Sequence, residues 1–145
     1  MKVLVSTDGS ELSAKAIDAA VGLAKALGAT LVGMTAVAAY EYGGYADYGS
    51  EESFDALDFE AVQSAQANER LLAVEQAARA AGLPYELTMS RKGPPWRAIL
   101  ACARAMECAY IVLASHGRGG LGALLLGSET QKVLAYADRP VLVVR

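Results

Sequence analysis

The sequence predicts a single α/β domain built on an open parallel sheet of five strands, with helices on both faces. Three observations carry that prediction. Short apolar runs such as Val3-Leu4-Val5 and Tyr110 to Ala114 are unbroken rather than alternating, as strands buried on both faces are. Between them lie longer stretches whose apolar residues recur every three or four positions, the spacing of a helix. Strand and helix alternate along the chain, which implies parallel strands joined by right-handed crossovers. At 145 residues, one domain spanning 1–145 has room for a real core. Neither an internal repeat nor a domain boundary is visible.

Lys2 to Ser6 is the first strand. Thr7-Asp8-Gly9-Ser10 makes a turn ending on an N-cap residue. Ser10 to Leu27 then reads as a helix, with Ala14, Ile17, Val21, Ala24 and Leu27 on the apolar spacing and Gly28 as its stop. Thr30 to Val37 is the second strand. Residues 38–53 fit no single period: Tyr40, Tyr42, Tyr45 and Tyr48 alternate with Gly, Ala and acidic residues. That stretch reads as a loop, whether a lid, a partner surface or a plain surface excursion. Phe54 to Ala81 is a long helical pattern with Leu57, Val62, Ala65, Leu72 and Ala78 among its apolar positions, and Gly82 stops it. Glu51, Glu52, Asp55 and Asp58 suit a helix start through the dipole alone. Tyr85 to Ser90 is the third strand, followed by the basic loop Arg91-Lys92-Gly93-Pro94-Pro95. A helix begins at Pro95 or Trp96 and runs to about Glu107, with Trp96, Ile99, Leu100, Ala103 and Met106 inward. Trp96 suits a core position better than a ligand stack. Tyr110 to Ala114 is the fourth strand, Ser128 to about Ala137 the last helix, and Val141 to Val144 the last strand.

The segment between the fourth strand and the last helix carries the chemistry. Gly117, Gly119, Gly120 and Gly122 let the backbone turn sharply and approach a ligand closely. Ser128, with Gln131 three residues on, reads as a capping box with Ser128 as N-cap. A glycine loop ending at a helix N-terminus presents free N–H groups and the positive end of the helix dipole. That is an anion site, and phosphate is the usual anion. The spacing is neither the G-x-G-x-x-G of a dinucleotide fold nor the G-x-x-x-x-G-K-[ST] of a P-loop, since no Lys follows Gly127.

Instead, His116-Gly117, nine residues, then Gly127-Ser128 resembles the universal stress protein family, whose nucleotide-binding members carry G-x-x-G-x9-G-[ST]. Gly117, Gly127 and Ser128 match the second glycine, the third glycine and the hydroxyl residue; Ala114 stands where the first glycine would be. The opening Val3-Leu4-Val5-Ser6-Thr7-Asp8-Gly9-Ser10 and the closing Arg139-Pro140-Val141-Leu142-Val143-Val144 match as well, so the resemblance spans nearly the whole chain. It implies a flavodoxin-like domain of the adenine nucleotide alpha hydrolase type, with sheet order 3-2-1-4-5. Strands 1 and 4 are then neighbours at the switch point, where open sheets bind ligands.

The resemblance also implies ATP or a related adenine nucleotide with Mg²⁺, held by a stress-response or regulatory module. Asp8 would meet the adenosine end, with Ser6 and Thr7 contributing mainly backbone. Ala36, or else Val37, would address the adenine ring through its backbone. Ala114, His116 and Gly117 would line the loop, and Gly127 and Ser128 would hold phosphate. Several plainer roles stay open. Asp8 is equally suited to capping the first helix or bonding the turn. Arg118 either offsets phosphate charge or is simply solvated. The glycines equally suit turn geometry alone. Thr130 reaches phosphate through its hydroxyl or backbone, whereas Glu129 repels it unless Mg²⁺ intervenes. The methyl of Ala114 is expected to crowd the ribose or α-phosphate and weaken binding without abolishing it.

Other chemistries are poorly supported. Ser115 and His116 are sequence neighbours, and neighbours at a strand end point oppositely, so a catalytic pair is not expected. With one histidine and no cysteine near it, a transition-metal site is not expected either. No general base is well placed, so any ATP hydrolysis should be slow. A net charge of −3 argues against a nucleic-acid partner. No apolar stretch approaches membrane-span length and no signal peptide is recognisable, which points to a cytoplasmic protein. Cys102 and Cys108 read as buried free thiols. Val141, Leu142, Val143 and Val144 form an edge strand in the implied order, apolar on both faces, and are expected to pair with a second copy as a homodimer. The signalling partner has no signature. The competing readings are a dimeric stress protein that binds no nucleotide and, more remotely, a phosphoryl-transfer enzyme.

Overall fold

A computed structural model describes residues 1–37, 52–116 and 126–145, with the side chains of 52–58 excluded. In chain order the elements are β1 (Lys2–Ser6), α1 (Glu11–Leu27), β2 (Thr30–Ala36), α2 (Glu52–Ala80), β3 (Tyr85–Ser90), α3 (Pro95–Ala105), β4 (Tyr110–Ala114), α4 (Ser128–Tyr136) and β5 (Val141–Val144). The five strands form one parallel sheet in the order β3-β2-β1-β4-β5. The order in which strands are added reverses beside β1: the chain steps outward from β1 to β2 and β3 on one side, then returns to add β4 and β5 on the other. Right-handed crossovers therefore put α1 and α2 on one face and α3 and α4 on the other.

Each face has its own core. Val3, Val5, Leu31 and Val112 meet Ala16, Ile17, Ala20 and Ala24 of α1, with Val74 and Ala78 of α2. On the opposite face Leu4, Val32, Met34 and Ile111 meet Ala98, Ile99, Leu100 and Ala103 of α3, with Val133 of α4. The alternation along each strand assigns the two sets, and both are buried because helices cover both faces.

Local signals set the element ends. The Ser10 hydroxyl accepts the Ser13 N–H at 3.1 Å and caps α1. Gly28 closes α1 in the left-handed region at φ 60°, with its N–H returned to the last turn. The buried stripe of α1 is Ser13, Ala16, Ile17, Ala20 and Ala24, while Ala14 and Leu27 face solvent. In α2 the buried stripe is Ala67, Leu71, Val74 and Ala78, and Val62, Ala65 and Leu72 are exposed. Apolar spacing fitted more than one stripe in these alanine-rich helices, and packing against the sheet selected one. Helix α3 stops at Ala105, two residues before the expected end, so Cys108 lies beyond it. Both cysteines are free, and burial pushes the Cys102 thiol up to about 11 and raises that of Cys108. Trp96 is half-buried at the margin of the second core, stacked on Tyr136 at 5.0 Å between centroids.

The ladder also resolves the edge of β5. The Pro140 and Val144 carbonyls accept the Ile111 and Ser115 N–H groups. In a parallel ladder alternate residues face the same neighbour, so Leu142 turns its backbone groups to β4 while Val141 and Val143 turn theirs outward. Among the described residues no helix is long and apolar enough to cross a membrane.

Gly33 shows how closely α2 approaches the sheet. A Cβ at that position would lie 2.8 Å from both Val74 Cγ1 and Leu87 Cδ2. Gly33→Ala is therefore expected to destabilise the fold by about 1–3 kcal/mol through overpacking. Urea unfolding monitored by circular dichroism checks this: an unchanged midpoint would contradict the packing described.

Candidate functional site

The carboxyl ends of β1 and β4 lie side by side, and the turns leaving them define a crevice. At the β1 end, Thr7 is buried and densely bonded. Its N–H donates to the Met34 carbonyl, its Oγ1 pairs with Ser13 Oγ at 3.0 Å and accepts the Gly9 N–H, and its carbonyl accepts Thr35 Oγ1 at 2.8 Å. Asp8 Oδ1 accepts the Ser10 N–H at 3.0 Å, the Asx-turn role open to it from sequence. Ser6 and Asp8 both line the crevice.

At the β4 end, two contacts tie α4 down. The Gly127 N–H donates to the Ser115 carbonyl at 2.7 Å, and Thr130 Oγ1 donates to the Ala114 carbonyl at 2.9 Å. Thr130 is 4% exposed, with its hydroxyl engaged by the end of β4. The capping box does not form. Gly127 is the N-cap, with φ −60° and ψ 150°, and no side chain caps the helix; Ser128 is its first residue. Gln131 Nε2 reaches the Leu126 carbonyl instead. Gly127 is packed closely, since a Cβ there would stand 3.2 Å from His116 Cα. A larger residue would thus require the His116 backbone to give by a few tenths of an ångström. Helix geometry leaves the N–H groups of Ser128, Glu129 and Thr130 without an intrahelical acceptor, and Glu129 and Thr130 line the crevice.

Glu129 does more than shape local charge. Its Oε2 accepts the Trp96 N–H at 2.8 Å, satisfying a donor in the first turn of α3, and its Oε1 pairs with Lys132 Nζ at 3.2 Å. Pro94 offers no side-chain cap to α3, so Glu129 supplies one from another helix. The same contacts offset the negative charge that set Glu129 against phosphate.

Ser115 Oγ and His116 Nδ1 lie 3.1 Å apart, contrary to the expectation from strand alternation. The strand ends at Ala114, so alternation does not govern these two residues. The Ser115 side chain is buried, with the residue 4% exposed, which leaves the pair unsuited to attack on a substrate. At the β2 end, Val37 is buried and its N–H donates to the Ser90 carbonyl at 2.8 Å; Ala36 ends the strand and is half-buried. The strand is one residue shorter than Thr30 to Val37.

These elements enclose a cavity of about 200 Å³ that brings together Ser6, Asp8, Ala114, His116, Glu129 and Thr130. Typical small-molecule sites run to roughly 300–1,000 Å³, so the space enclosed by the described walls falls below that range. Ser13, Pro95, Ile99 and Leu113 also line it and were not singled out from sequence. Helix α3 brings Pro95 and Ile99 there, an approach that only the sheet order reveals. Ala114 lines the cavity and also packs against the α1-side core, so its methyl is engaged with α1 and β5 rather than standing only in the ligand's way. Gly117, Arg118 and the tyrosine-rich loop lie outside the described residues. Among the described residues no group of three or more His, Cys, Asp and Glu is placed to hold a metal ion.

Comparison with known proteins agrees with this architecture. The profile of the universal stress protein family matches residues 1–145. A universal stress protein of Thermus aquaticus is 38% identical over 144 residues, covering 99% of this chain and 97% of that one. Among solved structures, the universal stress protein UspA from Lactobacillus plantarum superposes with TM-score 0.78 at 23% identity, over 100% of this chain and 97% of that one. A universal stress protein crystallised in complex with cAMP superposes with TM-score 0.74 at 27% identity, again covering 100% of this chain and 97% of that chain. With the family profile matched along its full length and the sheet order that the motif resemblance implied, the chain belongs to the universal stress protein family.

Proposed function

We propose that the chain binds ATP or a related adenine nucleotide, with Mg²⁺, in the crevice between β1 and β4, and that it acts as a stress-response or regulatory module. The observation that carries this reading is the anchored N-terminus of α4, whose first-turn residues Glu129 and Thr130 line a cavity at the switch point of the sheet. A related universal stress protein in complex with cAMP supports the choice of an adenine nucleotide. The Ser128 and Glu129 N–H groups would hold phosphate. Asp8 and Ser6 would meet the ribose end, and the backbone of Ala36 would address adenine, since the Val37 N–H is engaged by Ser90. Gly117 and Arg118 complete the phosphate loop in this reading.

The residues present fit Mg²⁺ only as a companion of phosphate. Such ions commonly take one or two carboxylates and complete their shell with water and phosphate oxygens. Asp8 and Glu129 are the carboxylates lining the cavity, and Glu129 is already shared with Trp96 and Lys132. When bound, the ion would neutralise phosphate charge. With Ser115 buried and His116 beside it, no residue among the described ones is arranged to activate water, and hydrolysis would be slow.

We further propose a homodimer paired antiparallel through β5. Val141 and Val143 present the outward backbone groups of that edge, and Leu142 is 44% exposed beside it. The dimer is also what the second reading, a structural stress protein without nucleotide, would retain. The internal engagement of Thr130 and Glu129 favours that reading to a limited degree.

Three outcomes follow. Mg-ATP at about 100 times its dissociation constant should stabilise the protein by roughly 2.7 kcal/mol, read as a rise in melting temperature. No rise at millimolar Mg-ATP, with no heat in calorimetry, would favour the structural reading. Ala114→Gly should lower stability by about 0.5–1 kcal/mol while leaving ATP affinity little changed; a clear tightening in titration calorimetry would restore the crowding view. Val143→Pro should dissociate the dimer in sedimentation at micromolar concentration with little loss of fold. Leu142→Pro should instead cost stability, because it removes a bond to β4. A wild-type monomer would defeat the dimer proposal.

A further inference from the structure

The sheet has a second edge, at β3, and among the described residues no strand pairs with its outer side. The Pro84 and Ser90 carbonyls accept the Leu31 and Val37 N–H groups, so alternate residues from Pro84 to Ser90 turn their backbone to β2. Tyr85, Leu87 and Met89 therefore turn theirs outward. Pairing to β2 runs without a bulge from Tyr85 to Ser90. Edge strands are commonly blunted by proline, a bulge or charge. The one charged residue of β3 is Glu86, and Lys2 of β1 already pairs with it at 2.8 Å.

A groove of about 760 Å³ lies beside this edge, between β3 and α2. Leu71, Leu72, Leu87 and Met89 line it with apolar surface, and Leu72 is 47% exposed. Glu69 and Glu75 bring carboxylates to it from the same helix. Glu75 is engaged within the chain: its Oε1 accepts the Tyr85 hydroxyl at 2.7 Å and pairs with Arg79 at 2.8 Å. Glu69 is exposed and makes no ion pair among the described residues.

These features select the occupant. Outward N–H and C=O groups along a strand are satisfied by a second extended backbone, whose side chains fall alternately on the two faces of the sheet. Apolar side chains suit Leu72 and Met89, and a cation suits Glu69. A second copy paired β3 to β3 would instead bring another Glu69 carboxylate to the same interface.

We propose that the β3 edge and its groove dock an extended peptide segment of a protein partner, which adds to the five-stranded sheet with alternating apolar residues and a lysine or arginine at Glu69. The surface lies at the edge opposite β5 and shares no lining residue with the β1–β4 cavity, so it stands apart from the nucleotide and dimer readings.

Acetyl-Lys-Thr-Leu-Thr-Leu-Thr-Lys-amide is the probe, with a lysine at each end so that one reaches Glu69 in either strand direction. It is titrated into the ¹⁵N-labelled full chain. The Leu87 and Met89 amides should shift saturably and exchange their hydrogens more slowly. Of two further peptides, one N-methylated on the leucines and one on the threonines, one should lose affinity by at least about tenfold while the other binds like the parent, because only one edge of an added strand faces β3. A peptide with glutamate for lysine should bind at least about fivefold more weakly, and Glu69→Lys, a change at an exposed helix position, should reverse that preference. The proposal is overturned by no saturable shift, by shifts without slowed exchange, by N-methylated peptides that behave alike, or by an unchanged charge preference in Glu69→Lys. Protection of Leu87 and Met89 that rises with protein concentration alone would assign the edge to a second copy and overturn it too.

Discussion

The hydrogen bonds that hold the start of α4 against the end of β4 are the constraint on which the candidate site depends. Gly127 donates to Ser115 and Thr130 donates to Ala114, both across the top of the sheet. Together they fix where the helix begins and which way its first N–H groups point. A loop of glycines alone would leave that direction undefined. Here the direction is set by a helix whose Val133 is buried in the α3–α4 core, so core packing and site geometry are joined through one short element.

Glu129 extends this coupling to α3. By accepting the Trp96 N–H it binds the first turns of two helices to one another, and its pairing with Lys132 balances the charge brought into the crevice. The exposed ion pair contributes little to stability by itself, since such pairs are commonly worth about 0–1 kcal/mol. The backbone contact has a different consequence: it makes the position of α3, and of Pro95 and Ile99 in the cavity wall, depend on the first turn of α4. The β1 side is built similarly, with Thr7 joining β1, β2 and α1 through its backbone and hydroxyl.

Much of the fold was legible because its signals are local. Unbroken apolar runs marked β4 and β5 to the residue, Ser10 and Gly28 bounded α1, and Gly82 follows α2 at φ 66°. The inward faces of α1 and α2 were less legible. In helices so rich in alanine, a pattern through Ala14 and Leu27 is as regular as the true one through Ala16 and Ala20, and only the sheet distinguishes them. The site followed the same division. The glycine loop and the switch point could be read from spacing and resemblance. The bond from Glu129 to Trp96 spans 33 residues, and the Thr130 bond to Ala114 spans 16, so neither has a local signature. The Ser128 capping box failed because Gly127, one residue earlier, takes the cap position.

The central claim is that the anchored start of α4 receives the phosphate of an adenine nucleotide. A crystal structure of the protein grown with Mg-ATP tests it most directly. The account predicts nucleotide between β1 and β4, with phosphate oxygens in hydrogen-bond range of the Ser128 and Glu129 N–H groups and the ribose beside Asp8. Nucleotide bound elsewhere, or an α4 N-terminus without phosphate at saturating Mg-ATP, would contradict it.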